Sequence, residues 1–447
     1  MGPLADLHLH LYGCIRSPDL LRHLASRDVD WSTFEAEFKE IFERPSGIED
    51  ILARHRAGDP LAGQLFHRLF VFGDEDGGDF RRFQAKFNLL IHGSEIAAVR
   101  HGTASMERIE VELHSYLNGV LADQAAQGID HAEYRMFLSD PIPPKMARSL
   151  VQIVARRMAA WAEGEARLAV SLPREDPWPQ WEVVEPLLSG PEGRMITGID
   201  FCSVEEGFPP RGVAPFFEEI QAHNARNPER AVALLYHVGE SFRDKSLESA
   251  IRWVQEAAEL GAHRLGHAIA LGIDPAAYGS HDRKESISER IDQVRYDLRH
   301  RDGLGQAGVH LDTAALESEL RSLEAREPDD QIAIHYDDSR LEEVRRRQDF
   351  AMQRVRATGA VIEVCPTSNR RIAGLVDATH HPVHRFLAQD LPVVVASDDP
   401  GIFDTSLADE IEWVRNAAGL DTEGVATLIR QAWQSRSEVL AGRPGAD

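Results

Sequence analysis

Alternating strand-like and helical segments dominate this chain and limit the folds it can adopt. Short apolar runs typical of buried strands recur along it, with helical stretches and Gly or Pro residues between them. Such alternation is typical of βαβ units and a parallel sheet. The eight strand-like runs are 4–10, 129–137, 166–172, 196–202, 231–237, 263–267, 360–365 and 391–397. They predict an α/β protein with a closed (β/α)₈ TIM-type barrel, whose chemistry collects at the C-terminal ends of the strands.

Two segments depart from this repeat. Residues 18–127 show mostly helical periodicity, which predicts a helical cap between the first and second strands. Residues 272–345 form a charged insertion after the sixth strand, where we expect helices that serve as an oligomer contact or a mobile lid. Within it, the stretch from Ile332 to Asp338 imitates a strand with a metal site, although the strand count is complete without it. We therefore predict a single barrel domain over residues 1–447, interrupted by this insertion.

Charge and cysteine content argue against several classes of function. The formal net charge of −24 repels nucleic acids and anionic membrane surfaces. No apolar run approaches the roughly 20 residues that a membrane helix needs. Three widely spaced cysteines without a CxxC pair favour a reducing compartment and argue against a thiolate zinc site. We expect a soluble, cytoplasmic protein whose partner is a small molecule.

The ends of four predicted strands carry side chains that bind metals or move protons. His8 and His10 are two residues apart, so on a strand both side chains lie on the same face. Each group alone has a structural explanation, such as a core histidine or a polar pair on an edge strand. Their joint placement at strand ends favours a site instead. The full set is His8, His10, His237, Glu240, His267, Asp398 and Asp399.

Three imidazoles and one carboxylate suit a zinc ion that keeps an open position for water. We predict that the ligands of one zinc ion per chain are His8, His10, His237 and Asp398. A bound divalent metal lowers the pKa of its water to about 7, which supplies hydroxide at neutral pH. The adjacent Asp399 would then accept the proton of that water.

Six short motifs follow one another in the chain and cover almost its whole length outside the insertion. They are His8-Leu-His10-Leu-Tyr-Gly13, His237-Val-Gly-Glu240, Arg264-Leu-Gly-His267, Glu363-Val-Cys-Pro-Thr-Ser-Asn369, His381-Pro382 and Ser397-Asp-Asp-Pro400. As a set they resemble the adenosine deaminase branch of the amidohydrolase superfamily. The resemblance implies a mononuclear zinc hydrolase in which hydroxide attacks C6 of a 6-aminopurine and ammonia leaves. It further implies that Glu240 protonates ring N1, that His267 orients the hydroxide and that Asp399 accepts the proton.

Two positions depart from the family pattern and concern the substrate. Tyr12 stands where the family commonly has an Asp that contacts the ribose 5′-hydroxyl, and Ser203 stands where a Gly lies near the purine. We expect Tyr12, Ser203 and Asp399 to contact the substrate, which we expect to be adenosine or 2′-deoxyadenosine. The alternative is another aminopurine, such as adenine or a modified or 5′-phosphorylated adenosine, because Tyr12 carries no charge to repel a phosphate and Arg16 is close in sequence.

Two other classes of function stay open at this point. One is a non-catalytic barrel scaffold, whose copies would form a homo-oligomer through the insertion. The other is a binuclear hydrolase of amides or phosphoesters. It is disfavoured because none of the five lysines lies in a predicted strand, where one would be needed to bridge two metals.

Overall fold

The computed structural model describes residues 2–95, 105–138, 142–375 and 377–446. Eight of its strands form one parallel sheet in the order β1, β2, β3, β4, β5, β6, β9, β10, which confirms the predicted (β/α)₈ barrel. The strands are β1 (Ala5–His10), β2 (His131–Phe137), β3 (Glu165–Ser171), β4 (Ile196–Phe201), β5 (Ala233–Val238), β6 (Arg264–His267), β7 (His281–Ser286), β8 (Gln331–Tyr336), β9 (Val361–Val364) and β10 (Val393–Val395).

The barrel closes at the carboxyl ends of its first and last strands. Strand β1 meets the segment that follows β10 through two backbone hydrogen bonds of 2.9 Å, from Asp398 N to His8 O and from His10 N to Asp398 O. Asp398 has a φ of +63°, in the left-handed region that non-glycine residues rarely adopt. The closing seam therefore holds three of the predicted metal ligands next to one another.

Helices cover the outside of the barrel and one end of it. They are α1 (Ser17–Ala25), α2 (Ser32–Phe42), α3 (Ile48–Arg56), α4 (Ala62–Phe70), α5 (Phe80–Gly93), α6 (Met106–Ala126), α7 (Pro144–Ala159), α8 (Trp178–Leu188), α9 (Ala214–Arg226), α10 (Leu247–Leu260), α11 (Ile269–Gly272), α12 (Ile287–Gln306), α13 (Thr313–Leu323), α14 (Asp338–Thr358), α15 (Pro366–Ala373), α16 (Val383–Ala388), α17 (Leu407–Ala418), α18 (Thr422–Gln434) and α19 (Ser437–Leu440). The predicted cap is present as α1 to α6; part of its last predicted helix, residues 96–104, lies outside the described residues.

The insertion contains more than helices. Strands β7 and β8 pair in an antiparallel hairpin outside the barrel sheet, and α12 and α13 lie between them in the chain. The segment from Ile332 therefore belongs to a real strand, and our interpretation of it as a mere imitation of one is wrong. Its His335 lies in an exposed pair with Asp282, 2.7 Å apart, and does not join the strand ends of the barrel. Within the described ranges, none of the helices has the length and apolar character needed to cross a bilayer.

Candidate active site

Four side chains from three strand ends bring their donor atoms together at the rim. His237 Nε2 lies 3.0 Å from His8 Nε2 and 3.1 Å from His10 Nε2. Asp398 Oδ1 lies 3.3 Å from His10 Nε2 and 3.5 Å from His8 Nε2. Ligands placed tetrahedrally about 2.0–2.1 Å from a zinc ion are separated by about 3.3 Å. Each of these four distances is thus close to the separation of neighbouring ligands in one coordination shell.

Hydrogen bonds on the far side of two rings fix their protonation. His8 Nδ1 lies 2.8 Å from Glu363 Oε2, and His237 Nδ1 lies 3.1 Å from Asp200 Oδ1. The pKa values of Glu363 and Asp200 are held low, because nearby cationic groups outweigh the effect of burial, so both carboxylates can only accept. Each imidazole therefore donates from Nδ1 and turns the lone pair of Nε2 toward the cluster.

This arrangement fits a bound cation. Burial lowers the pKa of His10 to about 4 and the pKa values of His8 and His237 below their ordinary value, so the rings are neutral at neutral pH. Burial would raise the pKa of Asp398, but the surrounding imidazoles hold it below its usual range, so the carboxylate is ionised. Its Oδ1 is buried and has no hydrogen-bond partner. Lone pairs and an unpaired carboxylate oxygen that face one another at this distance repel unless a positive ion lies between them.

Cys365 is the remaining soft donor near this cluster. Its sulfur lies within 4.8 Å of ligand atoms of His8 and Asp398. Burial raises the pKa of the Cys365 thiol well above its ordinary value, so it stays protonated. Because the thiolate is the form that binds metals, Cys365 is a poor ligand here.

Glu240 follows β5 and faces His267 at the end of β6. The two side chains approach to 3.6 Å, from Glu240 Oε2 to His267 Nε2, while His267 Nδ1 lies 2.8 Å from Asn369 Oδ1. Burial, with a contribution from Asp398, raises the pKa of Glu240 to about 7. Burial would lower the pKa of His267, but the charges of Glu240 and Asp398 outweigh it and raise that pKa. This pair can hold and move a proton near neutral pH.

Asp399 lies beside the cluster, in contact with the turn that follows β1. Burial and the carboxylate of Asp398 raise the pKa of Asp399 well above its ordinary value, and its Oδ1 has no hydrogen-bond partner. A Cβ atom at Gly13 would lie 1.6 Å from that oxygen. Only glycine at position 13 leaves room for the Asp399 side chain.

The two departures from the family pattern both border the cavity at this site. Tyr12 is half-buried and its carbonyl accepts a hydrogen bond from Tyr116 Oη. Ser203 has a φ of +76°, a conformation that glycine adopts without strain. The backbone at Ser203 thus keeps the glycine-like conformation while a hydroxymethyl group has been added.

A cavity of about 370 Å³ opens from the cluster toward the helical cap. It is within the usual size range of small-molecule pockets. Away from the cluster its walls are mainly apolar and aromatic, with Phe80, Phe83 and Phe87 from one face of α5. Among the described residues that line it, Arg135 is the only one with a permanent positive charge, and its Nη2 lies 2.6 Å from both carboxylate oxygens of Glu363.

Buried charges that the sequence motifs do not reveal support the candidate ligands. Glu363 lies between Arg135 and Arg264, at 2.6 Å and 2.8 Å, and Arg135 Nη1 also lies 3.2 Å from His237 Nε2. A signal existed in β2, where His131, Glu133 and Arg135 alternate and so point to one face of a buried strand. The hydrogen-bond partners of Glu133 and Arg135 on other strands are more than a hundred residues away in sequence, so these pairings could not be read from spacing.

Part of the chain is similar in sequence to known deaminases. The family model described as adenosine deaminase matches residues 332–438. An aminodeoxyfutalosine deaminase from Acidothermus cellulolyticus is 45% identical over 56 residues, which are 12% of this chain and 16% of that relative. The match thus spans about a sixth of the relative's length.

Two solved structures share the fold over nearly the whole chain. An adenine deaminase from Arthrobacter aurescens is 18% identical, with a TM-score of 0.55, over 99% of this chain and 98% of its own. An amidohydrolase from Burkholderia ambifaria with bound Zn is 14% identical, with a TM-score of 0.55, over 97% of this chain and 85% of its own. The resemblance seen in the motifs is confirmed: residues 332–438 match the adenosine deaminase family model, and the two solved structures share the fold of nearly the whole chain.

Proposed function

We propose that the protein is a metal-dependent hydrolase that removes ammonia from a 6-aminopurine. One observation carries the proposal: four donor atoms, from His8, His10, His237 and Asp398, lie 3.0 to 3.5 Å from their neighbours with lone pairs turned inward. Nitrogen and oxygen donors of this kind suit zinc, one ion per chain. When bound, such an ion makes hydroxide available at neutral pH and so supplies the nucleophile for attack on C6.

Glu240 acts as the acid that protonates ring N1. A carboxyl group can donate only while it is protonated, and burial raises the pKa of Glu240 to about 7. Protonation at N1 draws electrons from C6 and prepares it for addition. His267, fixed by Asn369 and 3.6 Å from Glu240, orients the attacking oxygen and stabilises the charge that develops on it.

Asp399 acts as the base that takes the proton of the attacking water. A carboxyl group accepts a proton only in its ionised form, which the positive charge of a bound metal would favour, and the unpartnered Oδ1 of Asp399 lies at the cavity wall. The same proton can then pass to the departing amine. Three roles in hydrolytic deamination, namely acid, base and charge stabiliser, are thereby assigned to Glu240, Asp399 and His267.

For the substrate, we favour an unphosphorylated aminopurine other than plain adenosine, such as adenine or a modified nucleoside. Tyr12 offers a neutral phenol where a carboxylate would accept a charge-assisted hydrogen bond from a ribose hydroxyl, which disfavours adenosine. Arg16, the residue that made a phosphate conceivable, donates instead to Asp123 and to the carbonyls of Pro400 and Thr405. The names of the related adenine and aminodeoxyfutalosine deaminases support a substrate of this wider class.

A substrate panel tests the proposal. Purified, zinc-loaded protein is incubated with adenine, adenosine, 2′-deoxyadenosine, 5′-deoxyadenosine and AMP while ammonia release is measured. We expect release from at least one uncharged aminopurine and much slower release from AMP. If AMP alone were deaminated, the choice of an unphosphorylated substrate would be wrong. If the protein released ammonia from none of these compounds, the deaminase proposal would lose its support and the scaffold alternative would gain it.

A further inference from the structure

Residues of both the barrel and the insertion contact the loop that carries Glu240. We call residues 239–246, between β5 and α10, the proton-donor loop. It leaves the barrel at Gly239, whose φ is +69° and whose Cβ, if present, would lie 2.8 Å from Val254 Cγ2. Position 239 therefore favours glycine, and the packing against Val254 limits the direction in which the backbone leaves the barrel.

Glu205, in the segment after β4, holds this first end. Its two carboxylate oxygens accept hydrogen bonds from Gly239 N at 2.9 Å and from Glu240 N and Ser241 N at 3.2 Å each. Three successive backbone amides on one buried carboxylate fix the chain direction at Glu240 itself. Both partners of this contact follow barrel strands, so the insertion takes no part in it.

The insertion holds the other end of the loop. Glu285 of β7 accepts hydrogen bonds from Ser246 N at 3.0 Å and from Ser249 Oγ at 2.9 Å. The hydroxyl of Tyr336 in β8 accepts from Leu247 N at 3.0 Å. Glu285 and Tyr336 are both fully buried. Amides at a helix start have no partner inside the helix, so α10 begins where the hairpin supplies acceptors for it.

Arg283 of β7 holds the middle of the loop. Its Nη1 donates to the carbonyl of Phe242 at 3.0 Å. Its guanidinium lies 5.1 Å from the centre of the Phe242 ring and 5.0 Å from that of Tyr278, within the range of cation–π attraction. Phe242 is two residues from Glu240, so the contact acts on the same short segment.

The two faces of β7 are divided between these contacts and solvent. Arg283 and Glu285 point to the loop, whereas Asp282 and Lys284 are exposed. Asp282 pairs only with His335 on the outer face, where both side chains are more than half exposed. A strand of such alternating burial packs one side against a partner, and the partner here is the proton-donor loop.

We propose that the insertion is a positioning element for the proton donor, with Arg283 and Glu285 as positioning residues that act through the loop on Glu240. This goes beyond an oligomer contact or a lid, and it rests on the proposed role of Glu240 as the acid. Neither Arg283 nor Glu285 lines the cavity, so both act without touching the substrate. The expected consequence is on the chemical step, because misplacement of a catalytic group lowers kcat more than it weakens binding.

The test compares Arg283→Ala with Arg283→Lys and with Asp282→Ala, a neighbour on the exposed face of the same strand. Steady-state kcat and KM are measured on the zinc-loaded full chain with the best substrate of the panel. Amide hydrogen exchange of peptides that cover residues 239–247 is measured in parallel. Tyr336→Phe replaces Arg283→Ala if the alanine variant does not fold, since it removes the acceptor of Leu247 N and keeps the ring.

We expect Arg283→Ala to lower kcat by roughly tenfold to a hundredfold with KM changed less than about threefold. Exchange in 239–247 should become faster, Arg283→Lys should recover most of the rate, and Asp282→Ala should match wild type. Equal kcat for Arg283→Ala and Asp282→Ala, an effect on KM alone, or a loss of rate without faster exchange would each overturn the proposal. A wild-type protein without turnover would refute the proposed function instead, and the exchange data would still decide whether the insertion holds the loop.

Discussion

At the scale of single residues, burial sets the protonation state of each group at the site. The imidazoles of His8, His10 and His237 are kept neutral, which is the form that binds a metal. Burial raises the pKa of Glu240 to about 7, which keeps part of it protonated at neutral pH. Burial at one rim thus favours the protonation states that the proposed metal ligands and the proposed proton donor need.

The pH dependence of the rate follows from Glu240. Its protonated fraction is nearly complete well below pH 7 and falls about tenfold for each pH unit above the pKa. We therefore expect kcat/KM to decline as pH rises above about 7, measured by ammonia release between pH 5.5 and 9. Glu240→Gln serves as the control, because it should lower kcat by about 10²- to 10⁴-fold while metal content stays the same. A rate that is constant or rises from pH 7 to 9 would contradict the assignment.

The candidate site residues can be read from the sequence, but the residues that support them cannot. His8, His10, His237 and Asp398 are candidate ligands in the sequence because they lie at or directly after the ends of recognisable strand-like runs, and the fold brings them to one rim. The supporting roles of Asp200 and Glu363 could not be predicted. Each role depends on the imidazole ring that the carboxylate faces, and that ring is distant in sequence. The φ of +76° at Ser203 is likewise a property of the folded backbone that a serine in a sequence does not reveal.

At the scale of elements, the turn after β1 determines whether Asp399 can take its place. Gly13 packs directly on the Asp399 side chain, and a Cβ there would also lie 2.5 Å from its Cγ. The turn and the aspartate pair come from opposite ends of the chain and meet only because the barrel closes. A larger residue at position 13 would therefore displace the proposed base, Asp399, without removing its carboxyl group.

Gly13→Ala tests this contact. The added methyl group must displace Asp399, so we expect kcat to fall by about a hundredfold. Gly119→Ala is a matched control, since a Cβ at Gly119 of α6 meets no atom within 4 Å and alanine favours a helix. Kinetics and urea unfolding of both variants provide the measurement. A Gly13→Ala enzyme with wild-type kcat would show that Asp399 is not needed in this position.

The elements that were predicted and those that were missed differ in polarity. Barrel strands such as β5, Ala233–Val238, are buried throughout and read as apolar runs. Strand β7 has the sequence His-Asp-Arg-Lys-Glu-Ser, which contains no apolar residue and gives no strand signal. It forms because its alternate side chains find charged and aromatic partners, which is information from tertiary structure.

At the scale of the whole molecule, a chain of buried charges links the two ends of the barrel. Glu133 of β2 lies 2.6 Å from Arg264, which in turn lies 2.8 Å from Glu363, the partner of His8. Glu133 also accepts hydrogen bonds from Ser437 N and Oγ, at 2.6 and 2.5 Å, at the start of α19. The C-terminal segment is thereby tied to the same network as the predicted ligands.

Breaking this chain should destabilise the fold. Glu133→Ala leaves Arg264 and the Ser437 amide buried with fewer partners, so we expect a loss of about 3–5 kcal/mol in the free energy of unfolding. Glu165→Ala removes a half-exposed carboxylate that pairs with His131 on the neighbouring strand β2 and with Arg167 on its own strand, and should change stability by less than about 1 kcal/mol. Urea unfolding followed by circular dichroism measures both. Equal midpoints for the two variants would mean that the buried network contributes little.

The central claim is that imidazoles from two strands and Asp398 bind one ion, and metal content tests it most directly. Elemental analysis of the purified protein should find one divalent ion per chain, with the same value for His335→Ala, a surface histidine of the insertion. Asp398→Ala should retain far less, because it removes the charged ligand of the cluster. Two ions per chain, or equal metal content in wild type and Asp398→Ala, would contradict the account.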